Sequence, residues 1–121
     1  MSEASEQAAV FRWAALMESR YPPLRFMHHV PNGGARSGRT GAEMKRQGVK
    51  RGVPDIFLPW PVGKYHGLYI EMKYGKNRLT RDQKTFLQHA AAAGYRTAVC
   101  YSANEAIQAI QIYLKGGQKD A

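Results

Sequence analysis

The sequence predicts an α/β fold, a small mixed sheet flanked by helices with a core order αβββαβ. Three observations carry this. Stretches with helical apolar periodicity alternate with short apolar runs of strand length. Two Ser/Thr-x-x-Glu/Gln boxes, Thr80 to Gln83 and Ser102 to Glu105, mark helix starts in the second half. The run from Gly67 to Tyr101 reads strand–helix–strand, which implies a right-handed parallel crossover.

Taken in order, Glu3 to Arg20 contains no Gly or Pro, and Val10, Ala14 and Met17 fall on one stripe widened by Phe11, Trp13 and Ala15. Ser2 or Ser5 is placed to cap this helix, and Tyr21-Pro22-Pro23 stops it. Leu24 to Val30 reads as a strand ended by Pro31, with turn chemistry in Asn32-Gly33-Gly34. Thr40 to Gln47 suits a short helical piece within a long loop. Val53 to Trp60 and Gly67 to Lys73 read as two strands of a hairpin. Thr80 opens a helix whose stripe is Phe86, Leu87, Ala90 and Ala91, with Gly94 as its C′ residue. Tyr95 to Tyr101 is a strand. Ser102 opens the last helix, with Ile107, Ile110 and Leu114 on its apolar face and Gly116-Gly117 at its end. Gln118 to Ala121 reads as a frayed tail.

A chain of 121 residues has room for one domain, residues 1–121. Hydrophobic residues at 44% and charged residues at 22% exclude wholesale disorder. No apolar run approaches the roughly 20 residues of a membrane helix. The polar start, Met1 to Glu6, does not read as a secretory signal. Cys100 is the only cysteine, which excludes an intrachain disulfide and a cysteine cage. A reducing, cytoplasmic setting is expected.

Charge is the first functional clue. The formal net charge is +9, and between Ser19 and Asn104 there are 15 basic residues against four acids, Glu43, Asp55, Glu71 and Asp82. Such a cationic centre suits a polyanion, most often nucleic acid. Within residues 33–52, six glycines alternate with six cations, Arg36, Arg39, Lys45, Arg46, Lys50 and Arg51. Small residues beside cations would let a phosphate backbone come close. A solvated surface loop is the competing reading.

The placement of the acids is more specific. Asp55 follows Pro54 at the start of an apolar strand, and Glu71 and Lys73 lie two apart in another. Strand side chains alternate, so Glu71 and Lys73 share one face while Ile70 and Met72 take the other. A carboxylate in a strand core needs compensation by a salt bridge or a metal. If the two strands are neighbours, Asp55 lies beside Glu71, and two close carboxylates raise one pKa. A divalent cation removes that conflict, and hard oxygen ligands favour Mg²⁺ or Mn²⁺. Lys73 could then orient an attacking water or stabilise negative charge on a phosphate. Seen singly, Glu71 and Lys73 also suit an exposed pair on an edge strand, and Asp55 a turn residue.

These pieces resemble the PD-(D/E)XK nuclease signature, here Pro54-Asp55 followed after 16 residues by Glu71-Met72-Lys73. Four blocks in order resemble the VRR-NUC (virus-type replication-repair nuclease) family: Pro31 to Arg36, Gly52 to Asp55, Gly67 to Lys73, and Leu79 to Gln83. The resemblance runs from about Glu3 to Leu114. It implies a restriction-endonuclease-like α/β core and metal-dependent hydrolysis of phosphodiester bonds in DNA. Small stand-alone members are phage or bacterial and resemble dimeric Holliday-junction resolvases. On that resemblance Asp55 and Glu71 would be metal ligands, the Met72 carbonyl another, and Lys73 the catalytic lysine. The family also places a glutamate on its first helix, usually with a glutamine after it. Glu3 with Gln7 fits that spacing, and Glu6 and Glu18 are rivals. Gln83 falls on a family position near the metal, where its role competes with the capping box. Asn32 belongs to the first block and is grouped with the six loop cations as a DNA contact.

Other residues read as ordinary. Adjacent His28 and His29 would face opposite ways in a strand, His66 and His89 would be surface residues, and Cys100, Trp13 and Tyr69 would fill core. The leading reading is a metal-dependent DNA endonuclease selective for DNA structure. A catalytically silent nucleic-acid-binding module and a sequence-preferring restriction-type nuclease are the alternatives.

Overall fold

The computed structural model describes residues 1–31 and 38–116. Helix α1 spans Glu3–Met17. Ser2 is its cap: the Ser5 amide donates to Ser2 Oγ at 3.1 Å and the Ser2 amide donates to Ser5 Oγ at 2.8 Å. Val10 and Ala14 are buried, while Ala15 is exposed, so the apolar stripe is narrower than the sequence suggests.

The expected strand over Leu24 to Val30 is mostly something else. Pro22 and Pro23 start a 3-10 helix, Pro22–Phe26, because their fixed φ suits a helical turn and their missing N–H groups cost nothing there. Only His28–His29 remain as strand β1. Helix α2 spans Gly38–Arg46. Strand β2 is Ile56–Leu58, shorter than Val53 to Trp60 because Pro54 and Pro59 bracket it without a ladder donor. Strand β3 is Leu68–Met72, helix α3 Arg81–Ala92, strand β4 Arg96–Cys100 and helix α4 Ala103–Leu114.

Among the described residues the sheet has four strands in the order β1-β2-β3-β4. β1 to β3 pair antiparallel, with His29 opposite Ile56 and Ile56 opposite Ile70. β3 and β4 pair parallel, with Glu71 opposite Val99. The hairpin and the parallel crossover expected from the sequence are therefore both present. Both expected helix starts hold too. Thr80 and Gln83 form a full capping box. Ser102 accepts from the Glu105 amide, but the Glu105 side chain reaches one residue further back, to the Tyr101 amide at 2.8 Å.

One sheet face carries Ile56, Leu58, Leu68, Ile70 and Met72, buried together with Val10, Ala14, Ala106, Ile110 and Tyr113 of α1 and α4. Cys100 joins this core, and burial pushes its thiol up to about 11. The other face carries Phe57 and Tyr69, stacked at 4.4 Å, with Phe86 of α3 edge-on to Tyr69 at 5.2 Å. Trp13 and Tyr69 are half-buried, and His66 and His89 are exposed. Each fully buried aliphatic side chain contributes about 1.5–3 kcal/mol. Five of them on β2 and β3 offset the several kcal/mol that buried charges cost on the opposite face. Among the described residues no helix is long and apolar enough to cross a membrane.

Candidate active site

Asp55, Glu71 and Lys73 come together where β2 begins and β3 ends. Asp55 just precedes Ile56, the first residue of β2, and the register puts Ile56 against Ile70. Carried on, that register sets Asp55 beside Glu71 and then Pro54 beside Met72, where Pro54 has no N–H to give the ladder. The Met72 amide instead donates to Asp55 Oδ2 at 2.8 Å. The Asp55 main chain is held as firmly: its carbonyl accepts from the Val30 amide at 2.8 Å and from His29 Nδ1 at 2.8 Å.

Glu71 lies in the central strand β3 and is 2% exposed, so it is no edge-strand surface pair with Lys73. Lys73 is also buried, and its Nζ lies 3.7 Å from Glu71 Oε2. The Lys73 amide donates to the Cys100 carbonyl at 2.8 Å, which continues the sheet past the end of β3 and keeps Lys73 on the Glu71 face. Glu71 Oε1 is buried with no hydrogen-bond partner among the described residues.

The electrostatics follow from this packing. Burial is the largest cause pushing the Glu71 carboxyl up to about 8, and the Asp55 charge adds to it; Lys73 pulls the other way. Asp55 is also raised by burial, against the opposing bond from the Met72 amide. Two acids with an orphaned oxygen, short of positive charge, are chemically suited to a hard divalent cation. Among the described residues, no three His, Cys, Asp or Glu side chains form a ready-made metal cluster. The remaining oxygens would therefore come from the main chain, water or a phosphate.

Glu3, at the start of α1, is close enough for its charge to raise both Asp55 and Glu71. Its Oε2 accepts from Asn77 Nδ2 at 3.3 Å. Its rivals are elsewhere. Glu6 Oε1 accepts from the Ala103 amide at 2.8 Å and so caps α4. Glu18 lies past the far end of α1, about 22 Å along the helix from Glu3 at 1.5 Å per residue. Gln83 is buried on α3, and its Oε1 is taken by the Thr80 amide at 2.9 Å. That leaves its amide nitrogen and the second lone pair of Oε1 for any other role.

The cations divide. Asn32 and Arg36 lie outside the described residues, as does the side chain of Arg39 in α2. Lys45, Lys50 and Arg51 are exposed; Arg46 is exposed but paired with Glu43 at 3.0 Å. Gly52 ties this segment to α3. Its φ is +85°, and a Cβ there would sit 2.7 Å from the Asp82 carbonyl carbon and oxygen. Arg51 is thereby held beside the α3 start, where Arg78, Arg81 and Lys84 are also exposed. Sequence reasoning singled out only the glycine-rich loop. The cations after Lys73 carried no local signal; it is the Gly52–Asp82 contact that brings the Arg51 segment against the start of α3.

A family model described as VRR-NUC domain matches residues 3–104. A solved structure described as a VRR_NUC domain protein is similar, with a TM-score of 0.78 and 33% sequence identity, covering 98% of this chain and 92% of that chain. No curated protein matches.

Proposed function

The chain belongs to the VRR-NUC domain family, which implies a nuclease of the PD-(D/E)XK type, and from that premise we propose a Mg²⁺- or Mn²⁺-dependent endonuclease that hydrolyses phosphodiester bonds in branched DNA. The observation that carries this reading is the buried Glu71 Oε1 beside Asp55, without a hydrogen-bond partner among the described residues. In this proposal Asp55, Glu71 and the Met72 carbonyl hold the cation, with Glu3 as an outer carboxylate. The bound cation would polarise the phosphodiester and lower the pKa of water.

The chain's own groups have distinct tasks. Asp55 is oriented by the Met72 amide, and that bond keeps its carboxylate beside Glu71. Lys73 is only loosely engaged by Glu71 at 3.7 Å, which leaves its donors for water or for a phosphate oxygen that gains charge in the transition state. Lys45, Lys50 and Arg51, together with Arg36 and Arg39, neutralise phosphates on either side of the scissile bond. Asn32 and Arg46 complete the set of proposed DNA contacts, and Gln83 stands with Asp55, Glu71 and Lys73 among the proposed catalytic groups.

One site cuts one strand, so symmetric cutting of a junction needs two sites on a twofold axis. The proposed assembly is accordingly a homodimer. The test is cleavage of four-way junctions, flaps and linear duplexes of scrambled sequence, with Mg²⁺ and with chelator, alongside light scattering of the free protein. Paired, metal-dependent cuts at junctions by a dimer are expected. Binding without cleavage would make the chain a silent binding module. Cleavage of one linear sequence would make it restriction-like.

A further inference from the structure

We infer that His29 is a positioning residue for the metal site, acting through the main chain of Asp55. This rests on the proposed metal role of Asp55. The geometry is one-sided. A carbonyl only accepts, so the 2.8 Å contact between His29 Nδ1 and the Asp55 oxygen requires the proton on Nδ1. Together with the Val30 amide at 2.8 Å, it gives the Asp55 carbonyl two donors and pins the residue where the β2 ladder has run out. The Asp55 carboxylate is bound separately, by the Met72 amide. Asp55 is thus fixed at both ends, from β1 on one side and β3 on the other.

Among the described residues His28 makes no comparable link: its Nδ1 meets the Phe26 carbonyl two residues back, and its ring lies edge-on to Phe57 at 5.9 Å. The His29 bond instead joins residues 26 apart in the chain. The His29 ring is exposed, so burial gives it no reason to be there. Groups that orient a metal ligand commonly change metal affinity about 10- to 100-fold when removed. Because His29 grips the main chain and not the carboxylate, the lower end is expected.

Three variants separate this role from its competitors. In His29→Asn the amide nitrogen occupies the place of Nδ1; in His29→Gln it occupies the place of Nε2; His29→Ala has neither. Binding of Mn²⁺ to the full chain without DNA, followed by electron paramagnetic resonance, should weaken about tenfold in His29→Ala and His29→Gln and recover in His29→Asn. Long-range proton–nitrogen spectra of the wild type at pH 8 should place the His29 proton on Nδ1. Recovery by Gln but not Asn would assign the work to Nε2 and overturn the inference. Equal Mn²⁺ affinity in all three variants, or a proton on Nε2, would also overturn it while leaving the metal site standing. A wild type that binds no Mn²⁺ would remove the metal reading and this inference with it.

Discussion

Lys73 Nζ stands 3.7 Å from Glu71 Oε2, with both side chains buried in the face between β3 and α3. At that distance the two attract by charge without a well-formed hydrogen bond. The ammonium therefore keeps donors for another oxygen. Lys73→Ala should lower the cleavage rate about 10²- to 10³-fold, the usual loss for one transition-state donor. Mn²⁺ should still bind. Loss of Mn²⁺ affinity in place of rate would mean that Lys73 serves only to compensate Glu71.

Asp55→Asn isolates charge from structure. An asparagine oxygen can still accept from the Met72 amide, so the 2.8 Å link at the end of the ladder survives. Cleavage should fall to background while the melting temperature and the affinity for junction DNA hold. Full activity in this variant would remove Asp55 from the metal site.

The carboxylates and the lysine were legible in the sequence because strand alternation is local: Glu71 and Lys73 had to share a face. The helix starts at Thr80 and Ser102 and the C′ glycine Gly94 were legible for the same reason. What the sequence hid depends on distant pairing. The link from His29 to Asp55 needs the β1–β2 register, and no pattern around His28-His29 distinguishes the two rings. The start of β1 is not legible in the run of bulky residues from Leu24, because Pro22 and Pro23 favour a helical turn over an extended chain. The approach of Gly52 to Asp82 joins two segments that look unrelated in sequence.

Gly52 is a testable joint. Alanine there would place its Cβ 2.7 Å from Asp82 main-chain atoms at a φ of +85°. Strain of this kind costs about 1–3 kcal/mol. For a chain of this size, each kcal/mol lowers the melting temperature by roughly 4 °C. Gly52→Ala should melt at least about 4 °C lower, and DNA affinity should drop because Arg51 is pushed away from α3. Gly48→Ala meets nothing within 4 Å and is the control for positive φ alone. Equal melting of the two variants would mean that contact with Asp82 is unimportant.

The cationic surface has a salt signature. Lys50 and Arg51 are exposed, and neither is in an ion pair among the described residues, whereas Arg46 is partly neutralised by Glu43. Each phosphate contact contributes about 0.9 to the log–log salt slope on duplex DNA. The double variant Lys50→Ala, Arg51→Ala should flatten the slope by about 1.8 and weaken all sequences alike. Arg46→Ala should change it less. An unchanged slope in the double variant would assign this segment to something other than DNA.

Glu71 makes stability depend on pH in the direction opposite to that of an ordinary ion-paired carboxylate. Its value in the folded chain, about 8, lies above its usual 4.5, chiefly because it is buried and secondarily because Asp55 is beside it. Between those values the folded chain holds a proton that the unfolded chain has already released. Without metal, the stability this group contributes is therefore complete below about pH 4.5, falls as pH rises toward 8, and levels off beyond that. A divalent cation must displace this proton, so it binds best where the proton is leaving. Thermal melts in chelator should show a lower melting temperature at pH 8 than at pH 5.5. Mn²⁺ or Mg²⁺ should raise the melting temperature at pH 8 and have little effect at pH 5.5. In Glu71→Gln the pH slope should shrink and the metal-induced rise should disappear. A melting temperature that climbs from pH 5.5 to pH 8 in chelator would mean that Glu71 is ionised throughout, with Lys73 alone sufficient to hold its charge.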